Sequence, residues 1–326
     1  MENHGVFDRL FGRYRTSGYG KAPKLLVTLC PTFGHFDKFA SDTRLAGIRL
    51  NSAMLTPEEV TDELAVAAAK DYPVDLYFDV KGRQMRVEEV LPNEDYLDIR
   101  LNHPIKCDTP TLVLFKAGGD RAVVGRLLEG GRRLQFSHNP EFNVKMGESL
   151  HIRNANLEIL AKPLFSDFEM RRIEAAKAGG VNRWFLSYVE AQADLDEFRE
   201  IVGDDEVLLK IESKAGLRFI QEEFKKDDKT RLVAACGDLY IELDMPHEIL
   251  PAMRTIIDAD PDAIAGSRML LSIVKDPVPS YADLAQLAWI QNIGFNTFML
   301  CDELCLSDEQ LSTAVNVFDA FKTTLR

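Results

Sequence analysis

Several features are missing from this sequence, and each absence excludes something. No run of about 18 apolar residues occurs, so nothing in it reads as a membrane span. No secretory leader is evident at Met1, and the cytoplasm is the expected location. The five cysteines (Cys30, Cys107, Cys236, Cys301 and Cys305) are odd in number and form no CxxC pair, which argues against a disulfide framework or a zinc knuckle. Positive charge is scarce: 39 Lys and Arg face 52 Asp and Glu, a net charge of −13 that argues against non-specific binding to nucleic acid or an anionic membrane. A small anionic substrate stays open, because a bound metal ion can supply local positive charge. Neither GxGxxG nor GxxxxGKS follows the first candidate strand, which weakens the case for an open nucleotide-binding sheet.

What is present is an alternation. Candidate strands fall at 24–29, 46–51, 75–80, 183–188, 207–212, 231–236, 263–268 and 297–301. Most are apolar throughout, as strands covered on both faces should be. Helix starts lie between many of them. Thr56-Pro57-Glu58-Glu59 and Ser166-Asp167-Phe168-Glu169 read as capping boxes. Leu195, Phe198, Ile201 and Val202 mark another helix, Pro279-Ser280 opens a fourth, and Ser307 with Gln310 opens the last. Eight strands alternating with helices predict an α/β fold, a (β/α)8 TIM barrel.

Two segments stand apart. Phe7, Leu10, Phe11 and Tyr14 read as an amphipathic arm over residues 1–22, with docking in an oligomer or packing on its own domain as its two roles. The second lies between the third strand and Ser166, a gap too long for a bare loop. There the pattern turns strand-like: Thr111–Phe115, a turn at Gly118-Gly119, Val123–Leu128, a turn at Glu129-Gly130-Gly131, then Leu134–Phe136. The expected organisation is therefore a barrel over 23–87 and 163–326, with a small β domain of residues 88–162 inserted after the third strand. Loops after barrel strands lie at the active-site face, so this insert is placed to act as a lid.

Polar residues collect at the carboxyl ends of the candidate strands. Arg49 and Asn51 end the second, Asp79 and Lys81 the third, and Lys210 and Glu212 the fifth. Asp238 follows the sixth just past Gly237, Ser267 and Arg268 end the seventh, and Glu303 follows the eighth. Arg86 lies within reach of the same mouth. Side chains two apart on a strand face the same way, so Lys210 and Glu212 are neighbours. Alone, they are equally an interior ion pair or a catalytic cation beside a metal ligand. As a set, Glu212 and Asp238 offer hard oxygens suited to Mg2+ or Mn2+, and Arg49, Lys81 and Lys210 offer cations for a phosphate or carboxylate. Such a set suits phosphoryl transfer or enolate stabilisation. Cys301 and Cys305 read as small buried thiols, and His35 as a loop residue or a substrate contact. His151 and Arg153 in the insert are candidates to reach down to the mouth.

These segments resemble the pyruvate kinase family, in order and over almost the whole chain. Ala46–Asn51 is similar to "A-R-L-N", and Phe78-Asp79-Val80-Lys81-Gly82-Arg83-Gln84-Met85-Arg86 to "L-D-T-K-G-P-E-I-R". Lys210-Ile211-Glu212 resembles "K-I-E", Ala235-Cys236-Gly237-Asp238-Leu239 resembles "A-R-G-D-L", and Ser267-Arg268-Met269-Leu270 with Pro277-Val278-Pro279-Ser280 resembles "T-Q-M-L…P-R-P-T". Met299–Glu303 resembles "M-L-S-G-E". The resemblance implies that Lys210 stabilises a phosphoryl group in flight and that Glu212 and Asp238 hold the divalent metal. It implies that the backbone at Gly237-Asp238 receives a substrate carboxylate, that Arg49 binds the transferring phosphate, and that Ser267, in place of Thr, sits beside the carbon that is protonated. Asn51, Asp79, Lys81 and Arg86 complete the expected substrate-binding set.

Departures modify that expectation. Ala53 and Val80 replace two residues that help bind K+, which puts the family's K+ site in question. Gln84 replaces a Glu with Arg83 as an extra cation nearby, Met54 replaces a His near the nucleotide, and Cys236 replaces an Arg. The insert lacks the family's Lys-rich and Gly-rich approach to the phosphates, and the sequence stops at the barrel's last helix, before the family's C-terminal effector domain. Three readings follow: Mg2+-dependent phosphoryl transfer on an enolpyruvate-type substrate with altered substrate or acceptor; a Mg2+-dependent 2-oxo acid lyase, aldolase or decarboxylase working through an enolate; and a catalytically silent scaffold. The expected partners are a small anionic substrate, a nucleotide as a candidate, and a second copy of the chain through the barrel.

Overall fold

The computed structural model describes residues 22–52, 72–93, 95–115, 118–154, 156–160 and 162–324. The arm, the helix expected at Thr56, and the departures at Ala53 and Met54 lie outside them. In chain order the strands are β1 (Lys24–Thr28), β2 (Gly47–Asn51), β3 (Asp75–Val80), β4 (Val87–Val90), β5 (Asp98–Leu101), β6 (Ile105–Lys106), β7 (Thr111–Phe115) and β8 (Asp120–Leu128). There follow β9 (Arg133–Phe136), β10 (Leu150–Arg153), β11 (Glu158–Ile159), β12 (Arg183–Leu186), β13 (Glu206–Ile211), β14 (Thr230–Ala235), β15 (Ile264–Gly266) and β16 (Thr297–Met299). The helices are α1 (Phe36–Ala40), α2 (Asp167–Ala178), α3 (Gln192–Val202), α4 (Lys214–Glu222), α5 (Cys236–Glu242), α6 (Ile249–Ala259), α7 (Tyr281–Asn292), α8 (Asp302–Cys305) and α9 (Asp308–Thr324).

The eight expected strands close into one parallel barrel, in the order β1-β16-β15-β14-β13-β12-β3-β2. Helix starts follow the local chemistry. Ser166 and Ser280 accept from the backbone N–H three residues on, as N-caps do, at the heads of α2 and α7. Among the described residues no helix is long and apolar enough to cross a membrane.

The α/β barrel with an inserted β domain is thus borne out. Strands β10-β7-β8-β9-β5-β4 form an antiparallel sheet, and β11 pairs with β6. This insert has an apolar core of its own, including Val113, Phe115, Val124, Leu134, Phe136 and Ile152.

Two further cores belong to the barrel. The larger lies between sheet and helices and holds Phe78, Trp184, Leu209 and Phe298. The smaller fills the barrel's inside with Leu26, Tyr77, Phe185, Leu208, Val233, Ile264 and Met299, one residue from each of seven strands. This plug positions the site. Strand side chains repeat every second residue, so the residues two beyond the plug also point inward. Among them are Thr28, Asp79, Ser187, Lys210 and Ala235, and Lys81, Glu212 and Gly237 follow another step on. A dry floor therefore carries a polar layer at the carboxyl end of the barrel.

Candidate active site at the barrel mouth

Asp79 is the centre of the polar layer. It is fully buried, and its Oδ2 accepts from Arg49 Nε at 2.7 Å, while Ser187 Oγ donates to Oδ1 at 3.0 Å. Lys81 Nζ lies 3.2 Å and Lys210 Nζ 3.6 Å from the same Oδ2. Burial alone would raise this carboxyl's pKa, but the three cations outweigh it and hold the pKa well below the usual range. Arg49 is bound on its other side as well, donating to Asp302 Oδ1 at 2.8 Å and Thr28 Oγ1 at 3.1 Å. Burial opposes its charge, yet Asp79 and Asp302 raise its pKa further. Asn51 donates to the other oxygen of Asp302 at 2.9 Å.

Lys81 bears the cost of this crowding. It is 2% exposed, and burial, reinforced by Arg86, Arg49 and Lys210, pushes its pKa down to about 7 despite Asp79. Lys210 goes the other way. Burial opposes its charge, but Asp79 and Glu212 raise its pKa, and its Nζ also donates to Ser187 Oγ at 2.9 Å.

Glu212 is fully buried one step nearer the mouth. Its Oε2 accepts from the N–H of Tyr188 at 2.6 Å. Its Oε1 is 2.9 Å from Lys210 Nζ, close enough for an ion pair, yet no donor lines up with it for a hydrogen bond. Burial raises the pKa of Glu212, Lys210 opposes and the neighbouring Asp238 adds to the rise, which reaches about 7. Asp238 is held low, because His151 and Lys210 outweigh its burial. With Lys210 on its Oε1, Glu212 and the neighbouring Asp238 are the hard oxygen donors here that could hold a divalent cation. Among the described residues no group of three His, Cys, Asp or Glu side chains is arranged to hold a metal ion.

Gly237 and Ser267 face each other beside this pair. The Gly237 N–H donates to Ser267 Oγ at 2.8 Å, and a Cβ on Gly237 would meet that oxygen at 2.9 Å, so the approach requires glycine. The expected strand ends run long here. β14 stops at Ala235 and Cys236 already begins α5, while β15 stops at Gly266. Ser267 (φ 61°), Arg268 (φ 56°) and Leu270 (φ 55°) then turn left-handed, a strained run of the kind that collects at functional sites. Arg268 places its guanidinium 5.4 Å above the Tyr240 ring. Arg86 sits at the root of the insert, donating to Gln84 Oε1 at 2.7 Å and to the Gly147 carbonyl at 2.5 Å.

The insert touches the mouth through β10. His151 Nδ1 is 2.7 Å from Glu242 Oε1, its Nε2 is 3.4 Å from Asp238 Oδ1, and Arg153 donates to the Leu243 carbonyl at 3.0 Å. Burial would lower the pKa of His151, but Asp238 and Glu242 raise it to about 9. The thiols are inert: burial raises Cys301 to about 12 and Cys305 well above its usual value, and Cys305 Sγ accepts from the Thr28 N–H. His35 Nε2 meets the Cys305 carbonyl at 2.9 Å, a loop contact.

Sequence reasoning therefore selected residues that do meet: Arg49, Asn51, Asp79, Lys81, Lys210, Glu212, Gly237, Asp238 and Ser267. It passed over Ser187, Tyr188, Glu242 and Asp302. Ser187 and Tyr188 close the fourth candidate strand and Asp302 precedes Glu303, so the strand-end criterion could have found all three. Nothing in the sequence points to Glu242, which matters only because the insert lands beside it.

Relatives among curated proteins include pyruvate kinases. The pyruvate kinase of Methanocaldococcus jannaschii is 25% identical over 304 residues, covering 88% of this chain and 66% of that protein. That of Thermoplasma acidophilum is 25% identical over 320 residues, covering 88% and 54%. That of Agaricus bisporus is 24% identical over 329 residues, covering 88% and 60%. The chain is pyruvate kinase-like. No family model matches it. The match spans between 54% and 66% of the length of these three relatives, so the pyruvate kinase-like character is that of the shared region.

Proposed function

We propose that this chain is a pyruvate kinase-like phosphotransferase acting on an enolpyruvate or pyruvate-type substrate, with Mg2+ or Mn2+ at Glu212 and Asp238. The observation that carries this reading is the convergence of Lys210, Glu212, Asp238, Gly237 and Ser267 at the carboxyl mouth of the barrel. The bound divalent cation would neutralise the developing enolate oxygen. The chain's own residues do the rest. Lys210 holds its charge beside the carboxylates and offers it to a substrate anion. Ser267 Oγ accepts from Gly237, which leaves its own proton to be donated toward the substrate carbon. The plug of Tyr77, Phe185 and Leu208 excludes water from below. The insert, residues 88–162, covers the mouth as a lid, and a nucleoside diphosphate is the acceptor class the family resemblance offers.

One observation favours an enolate reaction without phosphoryl transfer, a 2-oxo acid lyase or decarboxylase. Arg49, the expected phosphate ligand, already holds Asp79, Asp302 and Thr28, so most of its donors serve the protein rather than a phosphate.

Incubation with Mg2+, phosphoenolpyruvate and a panel of nucleoside diphosphates tests the first reading, with pyruvate as the expected product and its loss in Lys210→Met. If no acceptor yields pyruvate, phosphotransfer is refuted. Exchange of the C3 protons of pyruvate into deuterium oxide, lost in Glu212→Gln and lowered on the order of 100-fold in Ser267→Ala, then supports the enolate reading.

A further inference from the structure

Asp79 faces more cations than one carboxylate can neutralise, and only one of them can shed its proton. Its Oδ2 takes Arg49 Nε at 2.7 Å, with Lys81 Nζ at 3.2 Å and Lys210 Nζ at 3.6 Å, and Ser187 occupies Oδ1. Two of the three cations have a second acid. Arg49 reaches Asp302 Oδ1 at 2.8 Å, and Lys210 lies 2.9 Å from Glu212 Oε1. Among the described residues, Asp79 is the one acid paired with the Lys81 amine. The Lys81 backbone is fixed separately, its N–H donating to Glu169 Oε2 at 3.3 Å. A guanidinium does not deprotonate in a protein, and Lys210 keeps its proton between two carboxylates. The proton whose loss relieves the crowding is therefore that of Lys81, and its pKa falls to about 7 accordingly. A desolvated lysine beside other cations, at the carboxyl mouth of a barrel, is a nucleophilic amine near neutral pH.

We propose that Lys81 is a covalent site, an amine that condenses with the C2 carbonyl of a small 2-oxo acid to form an imine. The surroundings select that electrophile. Arg49, Arg86 and Lys210 crowd the amine with positive charge, which draws an anion. A 2-oxo acid carries its carboxylate one bond from the carbonyl. Both lysine amines lie within 3.6 Å of one oxygen of Asp79, so a small acid whose carboxylate rests against Lys210 has its C2 within reach of Lys81. The Nζ lone pair bonds to C2, and the carbonyl oxygen leaves as water with the two amine protons. The imine nitrogen then takes a proton from solvent and becomes an iminium beside Asp79, and the substrate's carboxylate offsets the charge that returns. Lys81 is 2% exposed, and its shielding from bulk water slows hydrolysis of the imine. This chemistry goes beyond the metal-assisted readings above and does not depend on them.

Reductive trapping on the whole chain tests this. The protein is incubated with pyruvate and sodium cyanoborohydride in EDTA, then digested and mapped by mass spectrometry. Hydride adds to C2 of the imine and fixes it as a secondary amine, so Lys81 is expected to gain one reduced pyruvyl group. Its labelling should run at least about ten-fold ahead of that of the exposed Lys38 and Lys214. Lactate, which has the carboxylate and no carbonyl, should leave no adduct. Lys81→Arg, which keeps the charge, and Lys81→Met, which removes it, should both lose the fast label, with circular dichroism confirming that they fold. No adduct at Lys81 in the intact protein overturns the proposal, whatever the variants do. So does labelling of Lys81 no faster than that of Lys38 and Lys214, or a dominant adduct at Lys210. Because EDTA removes divalent cations, failure here leaves the metal-assisted reading standing, and failure of that reading leaves Lys81 standing.

Discussion

Lys81 shows how much of this site is electrostatic design at single residues. It is buried against Asp79 among three other cations, Arg49, Arg86 and Lys210, and its pKa falls to about 7. The unfolded chain holds that proton up to the ordinary lysine value of about 10.5. Between the two values the unfolded state binds more protons, so this group's contribution to stability is full above the upper value and is lost as pH falls toward the lower. Lys81→Met should therefore raise the melting temperature most at pH 6–7, by an amount on the order of 1 kcal/mol in stability, and less as pH rises toward 10. Thermal melts of both proteins across that range check it; a constant difference would show that Lys81 is not the titrating group. The residues of this layer were legible in the sequence as polar groups at strand ends. Their pairings were not. Arg49 read as a free phosphate ligand, and only the closed barrel brings Asp302, 253 residues away, against it.

At the scale of elements, the insert depends on one tight crossing. Gly131 follows β8 with φ 94°, and a Cβ there would lie 1.7 Å from the Ile105 carbonyl oxygen. Neither the backbone conformation nor the space admits a side chain. Gly131→Ala should destabilise the insert by on the order of 3 kcal/mol or more while leaving the barrel folded. Hydrogen exchange checks this: faster exchange in β5, β7, β8 and β9, with β13 and β14 still protected, is the expected pattern. The turn was readable from Glu129-Gly130-Gly131, because glycine pairs between apolar alternations mark hairpins. That Gly131 also packs against β6 was not, since the contact joins segments that no local rule connects. The short β15 has a similar explanation. The candidate strand runs to Arg268, but three left-handed residues after Gly266 end the ladder early.

At the scale of the molecule the barrel and the insert have separate apolar cores, and contacts of His103, His151 and Arg153 are among those that join them. The insert has the smaller core, so calorimetry should resolve two transitions, the insert melting first. A single transition whose van't Hoff and calorimetric enthalpies agree would show that the two bodies unfold as one. Gly131→Ala should move only the lower transition.

The sequence by itself determined the barrel, the place of the insert and most of the residues at the mouth. Each rests on local regularities: apolar strand runs, capping serines, a two-residue alternation that carries an inward-facing polar layer above an apolar plug. Only the tertiary structure decided which charges pair. It locked Arg49 between Asp79 and Asp302, left Glu212 Oε1 without a hydrogen bond, and set His151 of the insert against Asp238 and Glu242. Those outcomes depend on distances between side chains far apart in the chain, which periodicity along one strand cannot encode.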